Sequence, residues 1–472
     1  MGATKKIISA TALIAVVFII GGSYWTGKGV EKTFRADVEE MAKYGIWIKQ
    51  IDYRRGIFSA TARTEWALSP ERGSMIPGEE SPTVSYKHRI WHGPLLSPRA
   101  AASIRSELVP PENPVAFLVA FFPISEESAA MLVDAFGSNP FGEKAPITIE
   151  TTVGWDGGIR ARIASPGMEF PVGKDQSRCS WGGLNGEISR DSARSKVKAN
   201  IVMGGLSVVG SNENRFQTGQ ITFRSDVEQL AGYEFTPVGT SSVVLDRFWY
   251  RVSDKSNDTM SETVLENARI EFSATINNGI AEWKTRFDAD KVTAKNGAIT
   301  IEKPGVTLLL ENIDAQAHEA IQKVAREQSG ENMHHVFLRE QAKLLLQRKP
   351  ALTIKDLNAR WPEGMMTGNL RIAYEGDGDI TRFSPSDLAV DLQFSLPRAL
   401  VIRLLEMQAA AGGDASETQR KTDTLHTMIK SGVLIEKDGI LSISANHKDG
   451  TVILNGQSPQ PFTTLLGLLG FW

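Results

Sequence analysis

The sequence predicts an α+β fold that is predominantly long, curved antiparallel β-sheet with helical inserts, behind one N-terminal transmembrane helix. Most of the chain after residue 45 alternates apolar and polar residues with a period of two, which is typical of strands with one buried and one solvated face. Asn-Gly and Asp-Gly pairs lie between these runs and favour hairpin turns, because Asn, Asp and Gly accept positive φ. One apolar stretch near the N-terminus is long enough to cross a bilayer.

The predicted transmembrane helix covers residues 7–25, close to the ~20 residues that a bilayer requires. Two lysines precede it, so the positive-inside rule places residues 1–6 in the cytoplasm. An aromatic pair at its far end fits the interfacial belt, and a further lysine follows. The residues of this predicted membrane-anchor interface are Lys5, Lys6, Tyr24, Trp25 and Lys28.

A cleaved signal peptide is the alternative interpretation of this stretch. Tyr24 and Trp25, however, lie where the small residues of a cleavage site should be. We therefore expect a single-pass membrane protein with the bulk of the chain outside the cytoplasm. In a Gram-negative bacterium this means an anchor in the cell inner membrane and a chain in the periplasm. The single cysteine, Cys179, excludes an intramolecular disulfide and is expected to be buried and inert.

Behind the anchor, the pattern predicts a linker helix over 26–45, an N-terminal β-rich domain over 46–245, a C-terminal β-rich domain over 246–460 and an apolar tail over 461–472. Within these domains, the clearest strand patterns are 58–68, 268–276, 388–395 and 441–445. Helical spacing predicts two helix pairs, broken near Gly330 and Gly412, over 315–348 and 397–429. The hairpin turns are predicted at Asn278-Gly279, Asn296-Gly297 and Asp449-Gly450.

The composition excludes several broad classes of protein. The 472 residues are 41% hydrophobic and 23% charged, which excludes a polytopic membrane protein and a wholly disordered chain. The net charge is −3, so the chain has no global field that would attract nucleic acid, and no nucleic-acid partner is expected.

Six short strings, in order along nearly the whole chain, carry a family resemblance. They are Tyr24-Trp25-Thr26-Gly27-Lys28, Asp52-Tyr53-Arg54-Arg55-Gly56-Ile57-Phe58-Ser59, His92-Gly93-Pro94, Trp181-Gly182-Gly183-Leu184, Asn312-Ile313-Asp314-Ala315 and Leu454-Asn455-Gly456-Gln457. Together they resemble the YdgA-like family of bacterial proteins, a domain-of-unknown-function family. The resemblance implies an inner-membrane-anchored periplasmic protein without an established enzymatic activity, and it transfers no catalytic residue. By itself, the second string predicts a glycine turn leading into a strand whose Phe58 packs inward.

No catalytic, cofactor-binding or metal-binding residue is predicted. The chain lacks the Gly-x-Ser-x-Gly and His-Glu-x-x-His patterns, so we expect neither enzyme activity nor a cofactor. His88 and His92 are expected on one strand face, where His92 bonds nearby backbone. The acidic loop Glu375–Asp379 offers carboxylates to calcium, but a solvated hairpin turn is the favoured alternative.

A curved sheet with one apolar face and few covering helices must close on itself, pair with a second sheet or leave an apolar trough open. The favoured hypothesis is a non-catalytic envelope protein that binds or handles lipid in such a trough, with membrane and envelope lipids as partners. A periplasmic scaffold that binds partner proteins is the alternative. The C-terminal tail adds six residues predicted to make apolar contacts: Phe462, Leu465, Leu466, Leu469, Phe471 and Trp472.

Overall fold

The computed structural model describes residues 22–36, 46–68, 83–97, 100–109, 145–172, 177–209, 215–254, 259–294, 298–327, 335–378, 384–410 and 415–461. The chain forms two compact units, Met1–Asp226 and Val227–Trp472. The boundary predicted after residue 245 needs correction, because it falls inside strand β14 (Val238–Asp254). Residues on both sides of it pair with the same neighbouring strand.

Apart from one helix over residues 22–36, the regular structure described in the first unit is antiparallel sheet. Its strands are β1 (Ile46–Arg55), β2 (Ser59–Leu68), β3 (Thr83–Ser97), β4 (Ala100–Val109), β5 (Thr148–Gly154), β6 (Ile159–Ser165), β7 (Met168–Val172), β8 (Ser177–Trp181), β9 (Leu184–Arg190), β10 (Lys196–Met203), β11 (Leu206–Val209) and β12 (Arg215–Thr218), and β13 (Ile221–Glu228) contains the division. The main run pairs in the order β1-β2-β3-β4-β5-β6-β9-β10. A second run pairs β7-β8-β11-β12.

The second unit is a longer antiparallel meander. Its remaining strands are β15 (Thr259–Asn277), β16 (Ile280–Asp288), β17 (Lys291–Ala294), β18 (Ile299–Asp314), β19 (Ala351–Trp361), β20 (Gly364–Tyr374), β21 (Leu388–Pro397), β22 (Ile435–Lys437), β23 (Ile440–Lys448), β24 (Thr451–Leu454) and β25 (Gln460–Pro461). They pair in the order β14-β15-β16-β18-β19-β20-β21-β23-β24-β25. The short β17 follows β16 and, like it, lies between β15 and β18 and pairs with both. The short β22 pairs with β23.

Five α-helices lie in the described residues. They are α1 (22–36), α2 (Ala315–Glu327), α3 (His335–Gln347), α4 (Arg398–Ala410) and α5 (Ala415–Lys430). The two predicted helix pairs are therefore confirmed. Helix α1 covers the last four residues of the predicted anchor and residues 26–36 of the predicted linker helix, and residues 37–45 lie outside the described part. Over the described ranges, no helix combines the length and the apolar character needed to cross a bilayer.

The strand and turn predictions hold where the structure describes them. Asn278 and Gly279 adopt φ of 50° and 75°, and Asp449 and Gly450 repeat these two values, as hairpin turns of the favoured type require. The third predicted turn, Asn296-Gly297, falls outside the described residues. The prediction that Phe58 packs inward is wrong. Its side chain is 46% exposed, because the chain is still turning there and β2 begins only at the next residue.

Candidate functional site

The second unit carries a broad apolar sheet face. Residues paired directly across an antiparallel ladder share a face, so the strand registers define its members. From β14 to β21 these are Val243, Ile270, Phe272, Trp283, Phe287, Leu308, Leu310, Leu352, Ile354, Leu370, Ile372, Val390, Leu392 and Phe394. This set is called the apolar face below.

The middle of the apolar face is open to solvent. Six of its side chains are between 37% and 47% exposed: Val243, Ile270, Phe272, Leu308, Leu310 and Leu352. They lie on strands β14, β15, β18 and β19, with β16 between them, so the open stretch crosses about 19 Å at ~4.8 Å per strand. Single exposed apolar residues need no explanation, but a contiguous exposed set points to a binding surface.

The opposite face of the same strands carries charge pairs, one within strand β16 and one between strands β20 and β18. Arg286 pairs with Asp288 through Nε and Oδ1 at 3.0 Å, and Arg371 contacts Glu311 at 2.6 Å. These pairs are largely solvated and contribute only about 0–1 kcal/mol each. The charged side chains on this side are exposed, although Thr307 and Leu309 on the same side are buried. The apolar side is distinguished by large apolar side chains that stay exposed.

The two helix pairs cover only the ends of the apolar face. Leu345 of α3 and Trp283 of β16 both pack against the buried cluster that contains Ala281, Ile313 and Ala315. Val401 of α4 and Leu425 of α5 bury the far end together with strand residues that include Leu396, Leu441 and Ile443. Each helix pair is inserted where a strand ends, α2 and α3 after β18 and α4 and α5 after β21.

In the first unit, α1 lies in close contact with the sheet. The Nδ1–H of buried His92 donates to the carbonyl oxygen of Ser23 at 3.1 Å. A Cβ placed on Gly27 would lie 2.8 Å from Nε2 and 2.9 Å from Nδ1 of the same ring, so only glycine permits this approach. Arg55 holds the helix from the β1–β2 hairpin, through Glu31 at 3.1 Å and over the Tyr24 ring at 5.0 Å.

His88 sits in a buried polar network beneath this helix. Its Nε2 bonds Thr64 Oγ1 and its Nδ1 bonds Ser106 Oγ, both at 2.8 Å. Burial lowers the pKa of His88 to about 4, so the ring is neutral near pH 7. The serine and the histidine are 8% and 5% exposed, which denies a substrate access to this hydroxyl–imidazole pair. The network therefore links the side chains of three neighbouring strands, β2, β3 and β4.

The neutral state of His88 predicts acid sensitivity. In the unfolded chain its pKa returns to about 6.5, so the unfolded state binds the proton first and stability falls as the pH drops from 7 towards 4. Between pH 7.5 and pH 5 the loss from this group is about 2 kcal/mol. This loss of stability is measured by urea unfolding of the wild type and of His88→Asn at pH 7.5 and at pH 5. We expect the variant to lose less stability on acidification, and an equal loss in both proteins would contradict the assignment.

Cys179 occupies a fully buried position on β8, and its thiol is free. Burial raises the pKa of this thiol to about 11, so almost none of it is thiolate at pH 8. We predict that the folded protein does not react with maleimide at pH 8, whereas the protein in urea reacts with one equivalent. Rapid labelling of the folded protein would show that β8 opens.

Three of the five residues predicted for the membrane-anchor interface lie on α1. Tyr24 is 48% exposed and Trp25 81% exposed on α1, and Lys28 is exposed on the same helix. Lys5 and Lys6 lie outside the described residues, as do most of the predicted anchor and the six tail residues from Phe462 to Trp472.

The acidic loop is described up to Gly378. The amide of Gly378 donates to the Tyr374 hydroxyl at 2.9 Å, and Glu375 lies 3.9 Å from Lys448. Asp379, the last residue of the candidate calcium loop, falls outside the described part. Where side chains are described, no three His, Cys, Asp or Glu residues are grouped to hold a metal ion.

A comparison with protein-family models matches residues 4–461 to a bacterial protein family of unknown function, DUF945. The chain belongs to the DUF945 family. No curated protein and no solved structure matches it.

In this DUF945 protein, the strings that carried the family resemblance contain residues that hold connections between secondary-structure elements in place. The amide of Gly182 donates to the carbonyl of Gly205 at 2.8 Å where two strand runs cross, and a Cβ on Gly182 would lie 2.8 Å from the Cα of Gly204. Asp314 caps α2 by accepting from the amide of Ala317 at 2.9 Å. Asn455, with φ of 49°, donates through its side-chain amide to the loop after α5 at 2.9 Å. Each string thus has a structural role.

The residues of the apolar face were visible in the sequence only as strand alternation. Ile270 and Phe272 belong to the clearest of these patterns, but nothing local distinguishes them from core residues. Leu308, Leu310 and Leu352 lie in runs that the pattern did not single out. Exposure depends on what the rest of the unit covers, and no sequence signal carries that information.

Proposed function

We propose that this DUF945 protein is a non-catalytic, membrane-anchored envelope protein that binds acyl chains of lipids on the apolar face of its second unit. The observation that supports the proposal is the open middle of that face, where six apolar side chains stay exposed. Covering them with hydrocarbon is favourable by about 0.8 kcal/mol for each CH₂ removed from water.

Shape favours an acyl chain over a globular protein partner. The exposed side chains come one or two from each of four strands, with the half-buried Trp283 and Phe287 of β16 between them, so the open surface is a narrow strip that runs across the strands. Stable protein interfaces bury about 800 Å² on each partner and include a polar rim. A strip about 19 Å long at ~4.8 Å per strand matches an extended hydrocarbon chain, which needs no hydrogen bonds.

The N-terminus supplies the connection to a membrane in this proposal. Residues 7–25 form the proposed anchor, and the exposed Trp25 fits an interfacial position. The resemblance to YdgA-like proteins supports the same arrangement, with both units on the periplasmic side of the inner membrane.

The side of the membrane can be tested with one added thiol. Because buried Cys179 is expected to be unreactive, the substitution Gln393→Cys on the solvated face supplies the only accessible thiol in this design. In intact spheroplasts, the added thiol should react with a membrane-impermeant maleimide without lysis. Labelling that appears only after lysis would place the units in the cytoplasm and remove this part of the proposal.

Photo-crosslinking tests the lipid site itself. Bacterial membranes that contain the full chain would be loaded with a phospholipid carrying a diazirine near the end of one acyl chain, then irradiated and analysed by peptide mass spectrometry. We expect lipid adducts on peptides from β15, β18 and β19, in addition to any on the anchor.

Two outcomes would overturn the proposal. Adducts confined to residues 1–36 would show that only the anchor meets lipid. Crosslinks from the same strands to a second polypeptide, without lipid adducts, would favour the scaffold alternative.

A further inference from the structure

The exposed apolar side chains of the first unit are concentrated at one end of its main sheet. In the described part of this unit, seven large apolar residues are exposed. Six of them lie at the end where the β1–β2 hairpin turns, and this set is called the apolar rim: Tyr24, Trp25, Ile57, Phe58, Trp91 and Trp155. The seventh, Val209 of β11, belongs to the other strand run. Scattered apolar residues need no explanation, but a clustered set points to a binding surface.

The strand registers bring the sheet residues of the apolar rim to one end. Ile57 and Phe58 form the turn between β1 and β2, and Trp91 pairs with the first residue of β2. Following the register from Trp91 through β4 reaches the last part of β5, just before the turn that carries Trp155. Three inter-strand gaps separate β2 from β5, or about 14 Å at ~4.8 Å each.

The first turn of α1 is fixed at the same end. The ring of His92 bonds the carbonyl oxygen of Ser23 at 3.1 Å, and the amide of His92 donates to the carbonyl of Phe58 at 3.1 Å. The guanidinium of Arg55, the last residue of β1, lies 5.0 Å from the centre of the Tyr24 ring. Helix and hairpin turn are thus joined where the rim lies.

This contact sets how close the sheet comes to the membrane in the arrangement proposed above. Residues 7–25 form the proposed anchor, so its last four residues are also the first turn of α1. Ser23 is fully buried, and a Cβ placed on Gly93 of β3 would lie 2.5 Å from its Oγ. The sheet therefore touches the chain before the anchor ends, and the apolar rim lies at the level of the bilayer interface.

The residue types of the rim suit that level, whereas its charges select no partner. Three of its six members are tryptophans and one is a tyrosine, the side chains that are enriched at membrane interfaces because they combine an apolar ring with a polar group. Arg54 pairs with Asp52 at 3.4 Å and Arg55 with Glu31 at 3.1 Å, so the cations of the hairpin are accompanied by carboxylates. The bilayer is the partner that the anchor itself holds beside the rim.

We propose that the apolar rim is a second membrane contact, which rests this end of the first unit on the surface of the bilayer that holds the anchor. The rim side chains enter the layer of phospholipid headgroups and the first methylenes beneath it. This inference rests on the membrane anchor of the proposed function and is independent of lipid binding on the apolar face. Anchor and rim together fix the orientation of the first unit on the membrane.

Fluorescence quenching by lipid tests the contact in the full chain. The protein is reconstituted into vesicles of phosphatidylethanolamine and phosphatidylglycerol, with or without bromine atoms near the top of the acyl chains. Bimane is attached to Ser59→Cys, one residue after Phe58, or to Asn185→Cys at the opposite end of the main sheet, and both positions are exposed. Because bromine quenches only on close approach, we expect quenching about threefold or more stronger at residue 59 than at residue 185.

Substitutions then locate the contact. Ile57→Asp combined with Phe58→Asp places two carboxylates in the rim and should lower the quenching at residue 59 to the level at residue 185, since charged groups resist leaving water. Val209→Asp is the matched control, because it makes the same kind of change at the exposed apolar position outside the rim, and it should leave the quenching unchanged. Circular dichroism verifies that each variant is folded.

The outcomes separate this contact from the proposed function. Equal quenching at residues 59 and 185, or quenching at residue 59 that survives the double substitution in folded protein, would overturn the contact alone. Failure of the full chain to sediment with vesicles would overturn the anchor and the contact together. Crosslinks from the hairpin turn to a second polypeptide, without quenching at residue 59, would assign the rim to a protein partner and overturn the proposal.

Discussion

Leu310→Asp is expected to remove the acyl-chain crosslinks from β15, β18 and β19, with at least a tenfold loss of adduct. Leu310 lies in the open middle of the apolar face, on β18. A carboxylate there can be covered by hydrocarbon only if it gives up its water, which costs several kcal/mol. In the lipid-free protein the position is 37% exposed, so the new charge stays hydrated and the fold should persist.

The matched control is Gln393→Asp on β21, which adds the same charge to the solvated face of the same sheet. This variant should give the same lipid adducts on β15, β18 and β19 as the wild type. The crosslinks to the anchor should be unchanged in both variants. Circular dichroism at equal concentration verifies folding. If Leu310→Asp retains full labelling of these strands while folded, the apolar face does not hold the lipid.

Gly27→Leu is expected to release α1 from the sheet of the first unit. Any side chain at this position would meet the buried ring of His92, and a closely packed interior gives way only at a cost of about 1–3 kcal/mol or more. Hydrogen exchange followed by mass spectrometry should show amides of residues 22–36 exchanging at least tenfold faster. The amides of β14 to β24 in the second unit should be unchanged.

Gly29 provides the control on the same helix, since a Cβ there meets nothing within 4 Å. Gly29→Leu should leave exchange unchanged or slow it slightly, because leucine has the higher helix propensity. His92→Ala creates space beside Gly27 and should restore part of the protection when combined with Gly27→Leu, a non-additivity typical of residues in contact. Identical exchange in the two glycine variants would refute a specific docking contact.

The sequence determined the local architecture of this protein. Alternation of apolar and polar residues sets which side of each strand is apolar, as in β15 and β21, because successive side chains point to opposite faces. Asn-Gly and Asp-Gly pairs set the hairpins at 278–279 and 449–450, because those residues accept the positive φ that the turn needs. Breaks in helical spacing likewise predicted both helix pairs. These features depend on neighbours in the chain, so the sequence reveals them directly.

Phe58 and the division between the units show where local patterns fail. Phe58 has the parity of an inward residue but lies in a turn, so its side chain faces solvent. The boundary near Asp226 carries no composition signal, since strands occur on both sides of it.

Only the tertiary structure decided which surfaces stay open. Leu310 and buried Leu441 are both leucines on the apolar side of a strand, yet α4 and α5 cover only the second. Phe58 and Trp155 are far apart in the chain and lie at one end of the sheet only because three inter-strand ladders bring their strands into register. His92 and Gly27 meet because a helix from one segment packs on a strand from another. Exposure and juxtaposition of this kind arise from non-local packing, which a local pattern does not encode.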